Sequence, residues 1–437
     1  MATYNDERLS DLVQEDRVHR SLYTDPEIFD LEMERIWGQA WVYVGHESQV
    51  PKPGDYFTTE VARQPVILIR HSDGKFNVLF NRCAHKGAQV LADASGNARI
   101  IRCGYHGWTY ETDGTLRSVC GSEEAYQGTK FRRGKPCANL KRLPRVDSYR
   151  GFVFASLSPE GTDLASWLGP IATSFDNMVD RSPEGELEVT GGVLRYMHDS
   201  NWKFFVENLN DMLHALNTHQ SSSQTAKVVA KSLPEGQALP QAIEILSPFT
   251  ETIDFFEQMG VHAFDHGHSY SGGRISIHSA YSEMPDYTNA MEAAYGKERT
   301  EDILSLNRHN TVVYPSFTLK GAIQTVRVVK PIAVDKTLIE SWTFRLKGAP
   351  DEMLQRSILY CNLINSSANL VGPDDYESYH RQQNGLQTQG NDWVSMHRYL
   401  GQEQSDPDGG WEANGSSDMV FRSQFKAWKA YMRMNGA

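Results

Sequence analysis

Four residues in the first quarter of this 437-residue chain carry the most distinctive chemistry: Cys83 and His85 in one short stretch, Cys103 and His106 in the next. Together they offer two thiolates and two imidazoles. That set can hold structural zinc or an iron–sulfur cluster with mixed ligands. Zinc fingers pair cysteine with cysteine and histidine with histidine, whereas here each stretch supplies one of each. The pattern therefore fits a [2Fe–2S] cluster in which two cysteines hold one iron and two histidines the other.

Cys83-Ala84-His85 and Cys103-Gly104-Tyr105-His106 each suit a tight loop, and residues 86–102 leave room for strands that bring the loops tip to tip. Gly87, Gly104 and Gly107 let the main chain approach closely, so that amide N–H groups can point at cluster sulfurs. Arg82 and Lys86 crowd the first loop. No cysteine stands where a clamping disulfide would need one: Ala88 and Tyr105 occupy those places, and Cys120, Cys137 and Cys361 lie outside both loops. Gly107 is followed by Trp108 rather than by a serine able to donate to a sulfur. Fewer donors favour a lower potential. The sequence thus predicts a low-potential Rieske centre, reduced ultimately by NADH.

A second constellation lies in residues 202–219, which begin at Trp202 and hold Glu207, Asn208, Asp211, His214 and His219. On one continuous helix Glu207, Asp211 and His214 share a face. His219 is about 500° of rotation beyond His214, so the helix is expected to end or loosen near Asn217, where the two imidazoles can converge on one ion. Two histidines and a distant carboxylate form the facial triad of a non-haem Fe(II) site with positions open to O2. Asp374 and Asp375, placed after Gly372 and Pro373 at an expected break in structure, are both candidates for that carboxylate. A cluster that carries electrons needs a destination, which is the reason to read these residues as a metal site. A third group, His262, Asp265, His266 and His268, lies among Gly260 and Gly267. It is expected to be an exposed loop without metal.

The elements that must position these groups fall into three stretches. Thr24 and Glu27 form a capping box for a helix over 24–37, with Pro26 in the first turn and Gly38 as its stop. From 41 to 155 short strands dominate. Val66–Ile69 and Phe76–Phe80 read as a hairpin turning at Asp73-Gly74, a second hairpin turns at Asp113-Gly114, residues 121–145 read as a loop, and Gly151–Phe154 closes the sheet. Beyond 156 helix-like and strand-like patterns alternate, with residues 323–329 and 337–344 expected as neighbouring antiparallel strands. The expected organisation is α+β: an N-terminal helical segment over 1–40, an all-β cluster domain over 41–155 and a catalytic domain over 156–437.

Composition narrows the class of function. The chain is 40% hydrophobic and 11% aromatic, with a net charge of −12 and five cysteines. The acidic balance argues against nucleic acid as a partner. Few cysteines, a polar start and no stretch of membrane-spanning length point to a cytoplasmic protein. There is no GxGxxG after a strand and no phosphate loop. Oxidation of a nicotinamide is therefore expected in a separate reductase.

With these motifs in this order, the sequence resembles the large (α) subunit of Rieske non-haem iron aromatic ring-hydroxylating dioxygenases, from the N-terminal helix to the C-terminal region. The resemblance implies a Rieske domain set on a helix-grip catalytic domain. It implies that Cys83, His85, Cys103 and His106 bind the cluster and that His214, His219 and Asp375 bind the mononuclear iron, Asp374 being the second choice. Asp211 matches the acidic bridge that passes electrons from the cluster of a neighbouring subunit, and Glu207 and Asn208 match the start of the same motif. Tyr314-Pro315, Val326-Arg327-Val328 and Gly372–Asp375 resemble the branch acting on aromatic acids, benzoate and anthranilate dioxygenases among them. The implied activity is O2-dependent cis-dihydroxylation or hydroxylation of an aromatic carboxylic acid, with Asn208 and Arg327 as substrate-binding candidates and Lys320 behind them. Implied partners are an NAD(P)H-dependent reductase or ferredoxin, and either a small β subunit in an α3β3 hexamer or an α3 trimer. A monooxygenase or demethylase, or an electron carrier with a non-catalytic binding domain, are the alternatives.

Overall fold

The computed structural model describes residues 4–277 and 284–433. The chain divides into two compact units, one spanning Trp37–Leu164 and one made of the chain up to Ile36 together with Ala165 onward.

The first unit is built from three small antiparallel sheets. In one, β1 (Val42–His46) pairs with a strand from the far end of the unit; the others begin with β2 (Asp55–Val61), β3 (Gln64–Arg70) and β4 (Phe76–Phe80). Val66, Ile67, Leu68 and Ile69 are all fully buried, so β3 carries a continuous apolar run rather than an alternating one. The hairpin expected here is present: Arg70 faces Phe76 across the turn, and the Lys75 N–H donates to Asp73 Oδ1 at 2.9 Å. β5 (Ser95–Asn97) completes this sheet in the order β4-β3-β2-β5.

β6 (Ile101–Arg102), β7 (Thr109–Tyr110) and β8 (Leu116–Ser118) form the second sheet, and Asp113 steadies its turn by accepting from the Thr115 N–H at 2.8 Å. β9 (Arg145–Tyr149) and β10 (Phe152–Ser156) join β1 in the third. The stretch expected to close a single sheet thus belongs to a separate one. The sulfurs of Cys83 and Cys103 are walled by the core of this unit, which includes Tyr56, Ile67, Ile69, Leu79, Trp108 and Tyr110.

In the second unit α1 (Pro26–Arg35) starts one residue later than the capping-box reading places it. Asp25 is the cap, accepting from the Glu27 N–H at 2.8 Å, while Thr24 ends a preceding single turn. Asp25 directly precedes Pro26, whose fixed φ opens the helix, and that local geometry overrides the Thr24/Glu27 pattern. The helix also stops at Arg35, two residues short of Trp37.

The body of this unit is a nine-stranded antiparallel sheet. Its strands are β11 (Leu187–His198), β12 (Val261–Ala263), β13 (Ser269–Ser271), β14 (Asn310–Val313), β15 (Phe317–Lys320), β16 (Thr325–Ala333), β17 (Lys336–Leu346), β18 (Gln404–Ser405) and β19 (Trp411–Ala413). They lie in the order β11-β17-β16-β15-β14-β13-β12-β19-β18. The β16–β17 pairing, Thr325 against Thr343 through Lys330 against Leu338, is the hairpin that the alternating sequence predicts.

Helices α2 (Trp202–Asn208), α3 (His214–Thr218), α4 (Gln220–Ser232), α5 (Val371–Leu386) and α6 (Met419–Tyr431) carry or brace the site. Among the described residues no helix is long and apolar enough to cross a membrane.

One buried carboxylate ties three of these helices together. Glu32 on α1 accepts from Lys203 Nζ at 2.7 Å and Trp202 Nε1 at 2.9 Å on α2, and from Trp428 Nε1 at 2.6 Å on α6. Both Glu32 and Lys203 are sealed from solvent. Removing one partner of such a pair leaves a charge with no compensation, so Glu32→Ala is expected to cost about 3–5 kcal/mol in denaturant unfolding. Adding Lys203→Met should recover part of that loss. A single-variant cost below about 1 kcal/mol would exclude this anchoring role.

Candidate metal centres

The two loops of the first unit close in the same way. The Cys83 N–H donates to the Ala88 carbonyl at 2.8 Å and the Gly87 N–H to the Cys83 carbonyl at 3.0 Å. The Cys103 N–H donates to the Trp108 carbonyl at 2.8 Å and the Gly107 N–H to the Cys103 carbonyl at 3.0 Å. Gly87 and Gly107 have φ of 78° and 65°, the left-handed region where a side chain would be strained.

The resulting curl turns the main-chain N–H of His85 toward the Cys83 sulfur, and those of Tyr105 and His106 toward the Cys103 sulfur. Burial pushes the Cys83 thiol up. Burial acts on Cys103 as well, but the two amides and the Cys83 thiol outweigh it and its pKa falls.

The imidazoles of His85 and His106 meet edge to face with centroids 4.6 Å apart, and His85 stacks on Trp108 at 4.8 Å. Nδ1 of His85 is buried with no hydrogen-bond partner among the described residues. Burial, then the charges of His106 and Lys86, lower the His85 pKa and favour the neutral ring that a metal requires. Two thiols held by amides and an orphaned imidazole nitrogen beside a second imidazole fit a Rieske cluster. Sequence reasoning missed one contact. The Tyr110 hydroxyl accepts from the Ala84 N–H at 3.2 Å and lies 3.1 Å from Cys83 Sγ, within hydrogen-bond reach, with its proton free to donate to a thiolate there. Fewer donors are expected because no serine follows Gly107; Tyr110 adds one that the loop motifs do not show, arriving from the neighbouring strand β7.

In the second unit the single helix expected through Glu207, Asp211 and His214 does not form. α2 ends at Asn208 and α3 begins at His214. Between them Asp211 Oδ1 accepts from the Leu213 N–H at 3.1 Å, a local bond that competes with the helical ladder. His219 then sits at the joint between α3 and α4 with φ −102° and ψ 16°. The chain is thus interrupted on both sides of His214, and the two imidazoles turn toward each other with centroids 5.4 Å apart.

Gly372, Pro373, Asp374 and Asp375 lie inside the start of α5 rather than at a break before it. Pro is tolerated there because the first N–H groups of a helix have no intrahelical partner. The two aspartates consequently point differently. Asp375 Oδ1 lies 3.5 Å from His214 Nε2 and 3.3 Å from His219 Nε2, and accepts from Asn208 Nδ2 at 3.2 Å. Asp374 instead faces the far nitrogen of His219, Oδ2 to Nδ1 at 3.4 Å. The far nitrogen of His214 donates to the main-chain carbonyl of Asp211 at 2.6 Å.

His214, His219 and Asp375 offer ligand atoms within 4.8 Å of one another. Both outer imidazole nitrogens are engaged, which leaves both Nε2 atoms aimed at the common point, as second partners of metal-binding histidines do. The set fits a divalent iron. Burial alone would raise the Asp375 pKa, but the His219 hydrogen bond and the nearby imidazoles hold it below the usual carboxylate value. It is the Asp211 carbonyl, not its carboxylate, that meets His214. The carboxylate pairs with Arg398 Nη2 at 3.5 Å, and Arg398 is itself held by Asp418.

A cavity opens on this triad, lined also by Asn208, Asp211, Asn310, Lys320 and Arg327. Arg327 on β16 donates from Nη2 to Asn310 Oδ1 at 3.1 Å, and its guanidinium lies 5.0 Å from the Phe205 ring centroid. Asn310 in turn donates to the Leu209 carbonyl. Lys320 ends β15, 4% exposed, and donates to the Tyr360 hydroxyl at 2.9 Å. Burial, with Arg327 nearby, pushes its pKa well below the usual lysine value.

The group read as an exposed loop is dispersed. His268 is buried, donating from Nε2 to the Trp167 carbonyl at 3.1 Å and accepting at Nδ1 from the Tyr314 N–H at 3.1 Å. His262 lies on β12 and pairs with Asp406 at 2.5 Å, with Glu412 alongside. Asp265 and His266 form a short turn between β12 and β13.

A Rieske-type ligand set in a β unit and a two-histidine, one-carboxylate set on the helices of an antiparallel sheet together define the class, a Rieske non-haem iron oxygenase. Comparison with known proteins agrees. Residues 40–131 match the Rieske [2Fe-2S] domain, and residues 187–405 match the ring hydroxylating alpha subunit catalytic domain. The chain is 31% identical over 388 residues to the toluate 1,2-dioxygenase subunit alpha of Pseudomonas putida, covering 86% of this chain and 82% of that one. It is 32% identical over 392 residues to the anthranilate 1,2-dioxygenase large subunit of Acinetobacter baylyi, covering 87% and 80%. A naphthalene 1,2-dioxygenase with indole bound in its active site superposes with a TM-score of 0.82 at 22% identity, covering 97% of this chain and 94% of that one, which supports the fold. The chain belongs to the ring-hydroxylating dioxygenase alpha subunits. Its cofactors are a Rieske [2Fe–2S] cluster and a mononuclear iron, and O2 is its co-substrate.

Glu207, at the end of α2, accepts from the Tyr23 hydroxyl at 3.0 Å. Burial raises its carboxyl to about 8, with Asp211 and Asp418 adding to the rise and Tyr23 and Lys203 opposing it. An unfolded glutamate titrates near 4.3, so between about pH 4.3 and 8 the folded chain holds a proton that the unfolded chain has lost. This contribution to stability is complete below the unfolded pKa and is lost as pH rises through 8. Glu207→Gln keeps the acceptor for Tyr23 and removes the titration. Thermal unfolding across pH 5–9 should then show wild type losing stability relative to the variant, and parallel curves would refute the raised carboxyl.

Proposed function

We propose that the chain is the terminal oxygenase subunit of a multicomponent system that oxidises an aromatic carboxylic acid, with a separate NAD(P)H-dependent reductase or ferredoxin supplying electrons. In this reading Cys83, Cys103, His85 and His106 hold the cluster, and His214, His219 and Asp375 hold the iron. When bound, the iron activates O2 with electrons received singly through the cluster. The balanced reaction is arene plus O2, NAD(P)H and a proton giving the cis-dihydrodiol and NAD(P)+. Monohydroxylation would use the same electrons and release water.

The observation that carries the proposal is the pairing, in one cavity, of the His214/His219/Asp375 set with Arg327. The sequence leaves Arg327 open between a structural ion pair and a substrate anchor. Among the described residues it has no carboxylate partner; its contacts are Asn310 and the Phe205 ring. Asn310 and Phe205 fix the guanidinium, which can then take a substrate carboxylate in a bidentate contact. The related toluate and anthranilate dioxygenases are named for aromatic acids, which favours the same class here. Asn208 serves the site indirectly, by donating to Asp375.

Asp211 has two tasks on this reading. Its carbonyl fixes the His214 ring, and its partly exposed carboxylate, steadied by Arg398 and the Leu213 N–H, serves as the bridge to the cluster of a neighbouring copy. That arrangement calls for an α3 trimer or, with a small β subunit, an α3β3 hexamer, working in the cytoplasm where nicotinamide and reductase are found.

Two experiments test the proposal. Asp211→Ala keeps the carbonyl, so the purified variant should retain about three irons per chain, two in the cluster and one beyond it, yet turn over no substrate. Unimpaired turnover would sink the bridge assignment. Arg327→Met should raise KM for aromatic acids by about tenfold or more, the loss of a charged hydrogen bond, while neutral arenes are unaffected. An equal effect on acids and neutral arenes would overturn the acid reading.

A further inference from the structure

Lys320 is a second basic side chain at the same cavity. A buried ammonium is costly unless it is paired, yet among the described residues Nζ of Lys320 has no carboxylate within ion-pair reach. Its bond is to the Tyr360 hydroxyl at 2.9 Å, with the Tyr360 ring centroid 5.3 Å away. An ammonium carries three donors. One is used, and the residue lines the cavity that holds His214, His219 and Asp375.

The strand register places Lys320 beside Arg327. Lys320 faces Thr325 and Thr318 faces Arg327 across β15 and β16. Side chains two apart on a strand share a face, so Lys320 and Arg327 are diagonal neighbours on one side of the sheet, roughly 7–8 Å apart at the backbone and within reach of a common group for long side chains. Lys320 is buried and Arg327 half-buried; the two repel each other when both are charged, and a hydrophobic lysine substitute would pack there at lower cost. Of the two carboxylates that line the cavity among the described residues, Asp211 pairs with Arg398 and Asp375 is committed to His214 and His219. A monoanion placed between Lys320 and Arg327 removes the imbalance.

We propose that Lys320, positioned by Tyr360, is the second arm of the substrate site: its ammonium and the Arg327 guanidinium together clasp one carboxylate of an aromatic acid, leaving the ring to face the iron-binding residues. This rests on the aromatic-acid reading above and adds a specificity-determining residue to it. It also assigns Tyr360 a positioning role, since its hydroxyl fixes one Nζ donor and directs the other two.

The test uses the iron-loaded holoenzyme with benzoate and its neutral isostere benzamide as probes, dissociation constants being read by calorimetry. Lys320→Met should weaken benzoate by about tenfold or more, the scale of a charge-assisted hydrogen bond, and leave benzamide within about twofold. Lys320→Arg should restore most of the benzoate affinity. Lys320→Gln serves where the methionine variant does not accumulate as folded protein. If Arg327→Met weakens benzoate and both neutral Lys320 variants do not, the second arm is refuted while the acid reading stands. If wild type holds benzoate and benzamide equally, the acid reading fails and this inference with it.

Discussion

The catalytic unit depends on one convergence, the meeting of His214 Nε2 and His219 Nε2 at Asp375 Oδ1. Imidazoles five residues apart cannot reach one point from a regular helix. The chain solves this by breaking twice, between α2 and α3 and again at His219. Each break is held by an interaction that a continuous helix would not contain. At the first, the Asp211 side chain takes the Leu213 N–H while its carbonyl takes the His214 ring; at the second, Asp374 takes the outer nitrogen of His219. Neighbouring aspartates on α5 therefore point differently, one at the place where the imidazoles converge and the other at His219 from behind.

Precision at that point has to be supported from a distance. α2 delivers Asn208 to Asp375, and the opposite end of α2 is fixed by the Glu32 carboxylate through Trp202 and Lys203. Glu32 accepts from α6 as well, so the start of α2 is held against two other helices. A buried ion pair of this kind is a poor source of net stability, but its directional bonds specify one arrangement over sliding alternatives. The helix that carries the Asn208–Asp375 bond is thus located by charge at one end and by hydrogen bonding at the other.

Much of the cluster site was legible because its determinants are local. Cys83 and Gly87, like Cys103 and Gly107, are four residues apart, and the loop closes within that span. Tyr110 was not legible, because its hydroxyl reaches Cys83 from a strand that follows the second loop, and strand register is not written in the loop motif. In the second unit the types His214, His219 and Asp375 could be named, and so could the interruption near Asn217, where the helix ends at Thr218, but the earlier break between Asn208 and His214 could not. An Asp side chain that captures a nearby N–H is also compatible with a helical surface position, and periodicity does not separate the two. Reading Gly372-Pro373 as a break failed for a related reason: Pro is as welcome in a first helical turn as after a last one. His268 was misplaced because its burial depends on Trp167 and Tyr314, residues far from it in sequence.

The distribution of charge carries the reading of the active site one step further. Elsewhere in the chain several cations meet a carboxylate at close range: buried Lys203 meets Glu32, and the more exposed Lys330 and Arg398 meet Glu340 and Asp418. Lys320 and Arg327 have no carboxylate within ion-pair reach among the described residues, and they lie together on one face of the sheet, in the cavity that Asp375 also lines. A fully buried cation without a partner costs several kcal/mol. Two basic side chains in the cavity where chemistry occurs make sense as half of an interaction whose other half arrives with the substrate. The same electrostatics would penalise a neutral arene, which displaces water from both cations and returns no charge. Selectivity for an acid then follows from the cost of leaving the cavity filled but unpaired, rather than from any extra contact with the ring.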